Sequence, residues 1–174
     1  MTSAISGIRL ATILPRMASI ETKYFGTLPY DEGAVFDFPQ GLPAFENEKS
    51  FVLIESPDQG PLLFLQSMLR ASLCFVAFPI LVVDERYELA IAPEDLEELG
   101  LDVEHQPVLS GEVIVLALLS LHAKLQATAN LMAPVVLNVK SRRGLQAIRR
   151  DSRYSHAYPL GNQPSREPTV EEIC

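Results

Sequence analysis

Histidines, cysteines and clustered carboxylates are the side chains with which a chain of this kind would hold a metal or move a proton. The three histidines, His105, His122 and His156, lie far apart and lack the short spacing that a zinc site needs. Cys74 sits inside the apolar run LCFVAF and reads as a small core residue, while Cys174 is the last residue. Two such positions make neither a disulfide framework nor a metal set, which points to a reducing cytoplasm. The sequence holds no G-x-S-x-G elbow, no G-x-x-x-x-G-K loop and no G-x-G-x-x-G turn. The expectation is a protein that is not an enzyme and carries no metal or cofactor.

Charge is the more informative pattern. The phrase PEDLEELGLDVE gathers Glu94, Asp95, Glu97, Glu98, Asp102 and Glu104. The segment from Asp84 to Glu104 holds nine of the 22 acids, with Arg86 as its one base. Such a run is either a solvated helix face or a docking surface for a basic partner. Lys140, Arg142, Arg143, Arg149, Arg150 and Arg153 form the converse cluster, six of 14 basic residues. It reads as a charged hairpin that protects a sheet edge, or as a contact for an acidic segment or RNA. Little aromatic residue is interleaved for base stacking. The net charge of −8 also argues against a general nucleic-acid binder. A third candidate surface is the apolar turn FPQGLPAF, where Phe38, Leu42 and Phe45 either meet a partner or fold back into the core.

The elements that must carry these groups are short. Alternation predicts a strand at Ile20–Phe25, and Ala34–Phe38 and Phe51–Glu55 read as further strands, with LPYDEG and SPDQGP as turns. Two prolines and a glycine in PQGLP forbid regular structure. Leu62–Gln66 and Cys74–Phe78 read as strands, and Leu81–Val83 with Tyr87–Ile91 as a further pair. One helix is marked in APEDLEELGL by Pro93 in its first turn, early acids, and Gly100 as terminator. Val113–Leu121 reads as either helix or strand. Leu131–Val139 reads as strand, KSRRG as a turn and Leu145–Ile148 as the return. The longest apolar run, Val113–Leu119, is far too short to span a membrane. Seven or more short strands with one short helix predict a mainly β fold, a small antiparallel barrel-like single domain.

The stretch TANLMAPVVLN, Thr128 to Asn138, interrupts good strand formers with Asn130, Pro134 and Asn138. Pro134 has no N–H and must sit at a bulge or where no ladder bond is needed. The asparagines can bond nearby backbone at such an irregularity. A bent core strand is the expected result, with partner contact as the alternative. At the ends, MTSAISGIRLATILPR is a poor signal peptide, and MASIETKYFG from Met17 looks like a natural start. Residues 1–18 are therefore expected to be an extension, 19–160 the domain and 161–174 a polar tail.

Several phrases in order resemble one family: ETKYFG, FPQGLPAFE, FLQS, FVAFP, DLEELGL, TANLMAPVVLNVKSRRGLQAI and YSHAYPL. The chain from about Ile20 to Leu160 resembles FliW, the flagellar assembly factor. The resemblance implies a barrel-like β protein of the cytoplasm with no catalytic activity. It implies two partners, flagellin and the small basic translational repressor CsrA, bound away from CsrA's RNA-contacting face. FliW freed from flagellin would sequester CsrA, so that flagellin controls its own translation as by a chaperone-like exchange. The shared phrases place Gly41, Pro43, Gln66, Asn130, Pro134, Asn138 and Gly144 in the family scaffold. Ala44 replaces a usual glycine and Ala157 a common arginine, which leaves the fold intact and puts partner contacts in doubt. With CsrA basic, the acids Glu94 to Glu104 are the expected docking surface. Flagellin is expected near Phe38, Leu42 and Phe45. The chain is expected to be a monomer with no direct nucleic-acid or membrane contact. An alternative is a small-ligand-binding barrel or an enzyme of unknown substrate, which would need a cavity lined by several of Gln66, His122 and Tyr154.

Overall fold

The computed structural model describes residues 17–161, apart from 57, 59, 110, 124 and 152. Of the extension expected at 1–18 and the tail expected at 161–174, only Met17, Ala18 and Gly161 are among the described residues, and the first two belong to a strand.

The chain opens with a hairpin of β1 (Met17–Thr22) and β2 (Gly26–Asp31), paired Met17 to Asp31 through Thr22 to Gly26. LPYDEG, expected as a turn, thus supplies the end of β2 and a 3₁₀ turn at Glu32–Ala34. The next strands are β3 (Val35–Asp37), β4 (Ser50–Glu55), β5 (Leu63–Ser67) and β6 (Cys74–Pro79). Then come the single turn α1 (Ile80–Val83), the helix α2 (Pro93–Leu99) and β7 (Val113–His122). The chain finishes with β8 (Leu125–Ala129), β9 (Val135–Asn138), β10 (Arg143–Gln146) and the two-residue β11 (Tyr158–Pro159).

Strand order is β7-β6-β5-β4-β3-β10-β9, and β9 pairs back onto β7, so seven strands close a barrel. All of its pairings are antiparallel except β3 with β10, which is parallel through Arg143 and Asp37. β8 and β11 continue the sheet outward from the far half of β7, past an irregularity between Ser120 and His122. Val113–Leu121, ambiguous by periodicity, is a strand because its two faces are both buried. Ile114, Leu116 and Leu118 point into the barrel, while Val113, Val115 and Ala117 point to a second core outside it.

The interior holds Phe36, Phe38, Phe51, Leu65, Ala77, Leu116, Val135 and Leu137, with aromatic rings meeting edge-on (Phe38 with Phe51 at 5.1 Å between centroids). The outer core lies between β7, β9 and β10 and their covering: Ile80, Tyr87, Ile91, Leu96 and Leu99. Leu96 and Leu99 are fully buried, each worth about 1.5–3 kcal/mol, and they set the roll of α2 on the barrel. Glu94 and Glu97 consequently face outward, while Asp95 and Glu98 are half-buried, with Glu98 Oε1 shut off from solvent and without a partner among the described residues.

Two expectations fail here. Leu81–Val83 and Tyr87–Ile91 do not pair as strands. The first is within α1, and the second runs without ladder bonds. Its backbone is satisfied by side chains instead. Gln106 bonds both backbone groups of Ile91, through Oε1 at 2.8 Å and Nε2 at 2.9 Å, and Tyr154 Oη accepts from Glu88 N at 2.9 Å. The strand expected over Leu131–Val139 is confined to Val135–Asn138, because Pro134 cannot donate and Asn130 Oδ1 accepts from Ala133 N in a tight turn.

Candidate functional site

Helix α2 begins with Pro93 at its first position and ends at Gly100, whose φ of +72° is the left-handed conformation glycine adopts freely. Gly100 N bonds Glu97 O, and Leu101 N bonds Leu96 O, which stops the helix in a Schellman turn. Its last carbonyls are held by the β9–β10 hairpin. Asn138 Nδ2 and Ser141 Oγ both donate to Leu99 O, at 2.9 and 2.7 Å, and Arg143 Nη1 donates to Glu98 O at 3.1 Å. At the other end Arg150 Nη2 pairs with Glu94 Oε1 at 2.8 Å. The helix is thus fixed at both ends, and its exposed acids project from a rigid support.

Contacts of this kind take up much of the basic run. Arg153 pairs with Glu88, and Arg149 is buried, donating to both carboxylate oxygens of Asp151 and to Glu88 O. Its guanidinium carbon lies 4.9 Å from the Tyr154 ring centroid and 5.9 Å from that of Tyr87. Arg142 lies over Phe36. Arg149, Arg150 and Arg153 are thus folded against carboxylates, while Lys140 and Arg143 stay exposed with no carboxylate partner among the described residues.

Electrostatics follow from these partners. The Glu94 carboxyl is held low by its own backbone N–H and by Arg150. The Asp102 carboxyl is held low by Glu104 N–H and by His105. Burial and the neighbouring charge of Glu94 raise Asp95. Glu97 and Glu104 are exposed. Asp102 and Glu104 lie past the helix end, in a turn of their own.

The apolar turn is placed differently from its expected contact role. Phe38 and Leu42 are buried inside the barrel, and Phe45 is half-buried with its ring against Phe75. Phe38 and Leu42 therefore present no surface to a partner. Gly41, with φ of +72°, is required there, since a Cβ would stand 2.7 Å from Glu46 Cα and from Phe45 O. Ala44 also takes the left-handed conformation, at φ +67°, so the turn keeps its shape without the glycine. Glu46 Oε1 accepts from Ala44 N, and the Glu46 carboxyl is held low by these backbone N–H groups. Gln40, Gly41, Pro43 and Glu46 face Asp95, Glu98 and Gln146 across a groove of about 340 Å³. Two of the regions singled out from sequence, the turn and the acidic helix, are thereby brought together.

The remaining scaffold positions are internal supports. Asn138 bonds the helix end and also accepts from Lys140 N and Ser141 N. Pro134 O accepts from Ala147 N. Gly144 packs against Phe38 and Leu137. Gln66, buried on the outer face of β5, donates to Ser67 O and Arg70 O and braces the following loop. Gln66 lies on the outer face of β5 and Tyr154 packs against the outer core, so neither lines the barrel interior; the His122 side chain lies outside the described residues. Two buried polar clusters had no signal in the sequence. One is the Arg149 clamp, and the other joins Glu48 with Ser67 and Arg70, the last at 2.9 Å. Their members are distant in sequence or sit in phrases that look like polar loop.

Among the described residues no set of three or more His, Cys, Asp or Glu is arranged to hold a metal ion, and no helix is long and apolar enough to cross a membrane. The sequence profile of the family described as FliW protein matches residues 19–160. A flagellar assembly factor FliW of Syntrophomonas wolfei is 34% identical over 142 residues, covering 81% of this chain and 87% of that protein. One of Bacillus velezensis is 33% identical over 144 residues, covering 82% and 96%. A crystal structure titled as the flagellar assembly factor FliW superposes with a TM-score of 0.71 at 33% identity, covering 82% of this chain and 96% of that one.

Proposed function

The chain belongs to the FliW family, and from that premise we propose that it is a non-enzymatic regulator of flagellar assembly that exchanges between flagellin and CsrA. Bound to flagellin, it leaves CsrA free to repress flagellin translation. Released when flagellin is exported, it captures CsrA and lifts that repression. The exchange takes place in the cytoplasm and needs no cofactor.

The observation that carries the CsrA half is the acidic helix, held at both ends on the barrel with Glu97 exposed on its outer side. A rigid acidic face loses little conformational entropy on docking a basic protein, and its field steers encounter. Glu94, Asp95, Glu97 and Glu98 form the proposed contact, with Asp102 and Glu104 beyond the helix end adding to the field. The groove against Gln40 to Glu46 lies beside them. With Phe38 and Leu42 buried, the apolar turn keeps half-buried Phe45 as its apolar surface for flagellin.

Paired reversal, Glu97→Lys with Glu98→Lys, tests the assignment. Binding to CsrA is expected to weaken by at least about tenfold, mostly through slower association, with Glu97→Lys alone and the urea midpoint read beside it because Glu98 is half-buried. Unchanged affinity in the doubly reversed protein would remove the helix from the interface.

A further inference from the structure

The barrel is joined more sparingly at one seam than elsewhere. β3 and β10 share a single residue pair, Asp37 with Arg143, where Asp37 N donates to Arg142 O at 2.8 Å. Past that pair the two strands part. Phe38 N turns back to Lys49 O on the β4 side, and Gly41 N closes a turn onto Phe38 O. β10 runs straight on instead. Ala147 N and Arg149 N donate to Pro134 O and Met132 O, so the pairing on the β9 side continues to Arg149, past the last ladder pair at Gln146. In an antiparallel pair successive residues turn their backbone groups to opposite edges. Since Ala147 and Arg149 face the β9 side, the N–H groups of Gln146 and Ile148 and the carbonyl of Gln146 face the other way. None of the three has a hydrogen-bond partner among the described residues. They form a free sheet edge, the template on which a further strand pairs.

The space in front of this edge is open, and it is acidic. Leu145 and Gln146 line the groove of about 340 Å³ whose other walls are the turn of residues 40–46 and helix α2. Residues 148–151 line a second groove, of about 400 Å³, against residues 90–93 at the start of α2. Three carboxylates, Glu46, Asp95 and Glu98, line the first groove, and no lysine or arginine does. In the second, Arg149 and Arg150 are already taken up by Asp151 and Glu94. Ile148 is 58% exposed between the two. Unpaired backbone groups call for the backbone of another strand, and the carboxylates beside them call for cations. An extended peptide with lysine or arginine among its side chains supplies both.

We propose that this seam docks an extended basic segment of the protein partner, which adds a strand to the free edge of β10 and turns its cationic side chains to Glu46, Asp95 and Glu98. The proposal rests on the reading that the basic protein CsrA docks on the acidic helix, and it adds to that face a backbone contact that fixes the partner's register. The wall formed by residues 40–46 also carries Phe45, so the surface assigned to flagellin adjoins the seam, and the two partners compete for one region as the exchange requires.

The test uses the full chain and CsrA from the same organism. The Gln146 and Ile148 amides are expected to exchange fast in the free chain and at least about tenfold more slowly in the complex. Ile148→Pro removes one donor from the free edge and leaves the ladder bonds of Ala147 and Arg149, at a place where a sheet tolerates proline. CsrA affinity is expected to fall about tenfold in that variant and a few-fold in Glu46→Gln, which keeps an acceptor for Ala44 N. An unchanged urea midpoint confirms that the fold is kept, and where Ile148→Pro does not fold, amide exchange in the parent chain decides alone. CsrA that binds both variants normally and leaves the Gln146 and Ile148 amides exchanging freely overturns the seam while the acidic-helix reading stands. A parent chain that does not bind CsrA overturns both.

Discussion

Gly144→Ala adds one methyl group to the middle of the barrel, and its cost can be worked out from the surroundings. The new Cβ would stand 2.6 Å from Phe38 Cζ, 2.8 Å from Phe38 Cε2 and 2.7 Å from Leu137 Cδ2. Carbon atoms rest at about 3.5–4.0 Å, so the neighbours must retreat by roughly 1 Å. Phe38 has little room to do so, because it is wholly buried and its ring abuts Phe51, which abuts Phe75. Overpacking of this kind costs about 1–3 kcal/mol. Alanine returns about 0.4–1 kcal/mol by restricting the unfolded chain. Gly144 is not in a left-handed conformation, so no backbone strain is added. The net expectation is a loss of about 1–2 kcal/mol, or roughly 2–8 °C in Tm for a chain of this size. Urea unfolding reads it directly as a lower midpoint at unchanged m-value. Phe38→Leu removes the two clashing ring atoms, so the double variant should be more stable than the sum of the single losses by at least about 0.5 kcal/mol. A Gly144→Ala protein as stable as the parent, or more so, would refute the packing argument.

Ala44→Gly should raise stability by about 0.5–1 kcal/mol, since relief of a left-handed alanine, φ +67°, outweighs the added freedom of the unfolded chain; the urea midpoint checks it. Asn138→Ala should cost about 1–3 kcal/mol, because it orphans the backbone N–H groups of Lys140 and Ser141 and removes one of two donors to Leu99 O; amide exchange should then quicken at the C-terminal end of α2. Asp151, held low by Arg149, Glu94 and Asp102 are carboxyls whose folded values lie below their unfolded ones. Their contribution is present above the unfolded values of 3.8 to 4.5 and is lost as pH falls through the depressed ones. Asp95, raised by burial, runs the opposite way and offsets part of this. The urea midpoint should therefore fall below about pH 4.5, and less steeply in Asp151→Asn, whereas a midpoint that rises on acidification would contradict the assignment.

Much of the barrel was legible because its signals are local. Short apolar runs bounded by turn residues mark β4, β5 and β6, and Pro93 with Gly100 brackets the helix to within a residue. What escaped was set by distant partners. Tyr87–Ile91 is rich in strand formers, yet Gln106 and Tyr154 satisfy its backbone before any neighbouring strand can. Leu28–Asp31 looked like a turn because of Pro29, which a two-stranded hairpin tolerates opposite Ser19. The acidic and basic runs were each visible in the sequence, but their pairing through Glu94–Arg150 and Glu88–Arg153 spans more than fifty residues. The open seam had no signature at all. It arises where the pairing of β3 with β10 gives out after one residue pair, and Leu145, Gln146 and Ile148 look like an ordinary returning strand in their own segment.

The central claim is that this chain binds CsrA through an acidic surface. Calorimetric titration of the full chain with CsrA from the same organism, at two salt concentrations, tests it most directly. The account predicts saturable binding that weakens as salt rises, because the proposed contact is between exposed charges screened over about 10 Å at 0.1 M salt. No binding at either salt would contradict it, leaving the chain with the family's fold but without this partner.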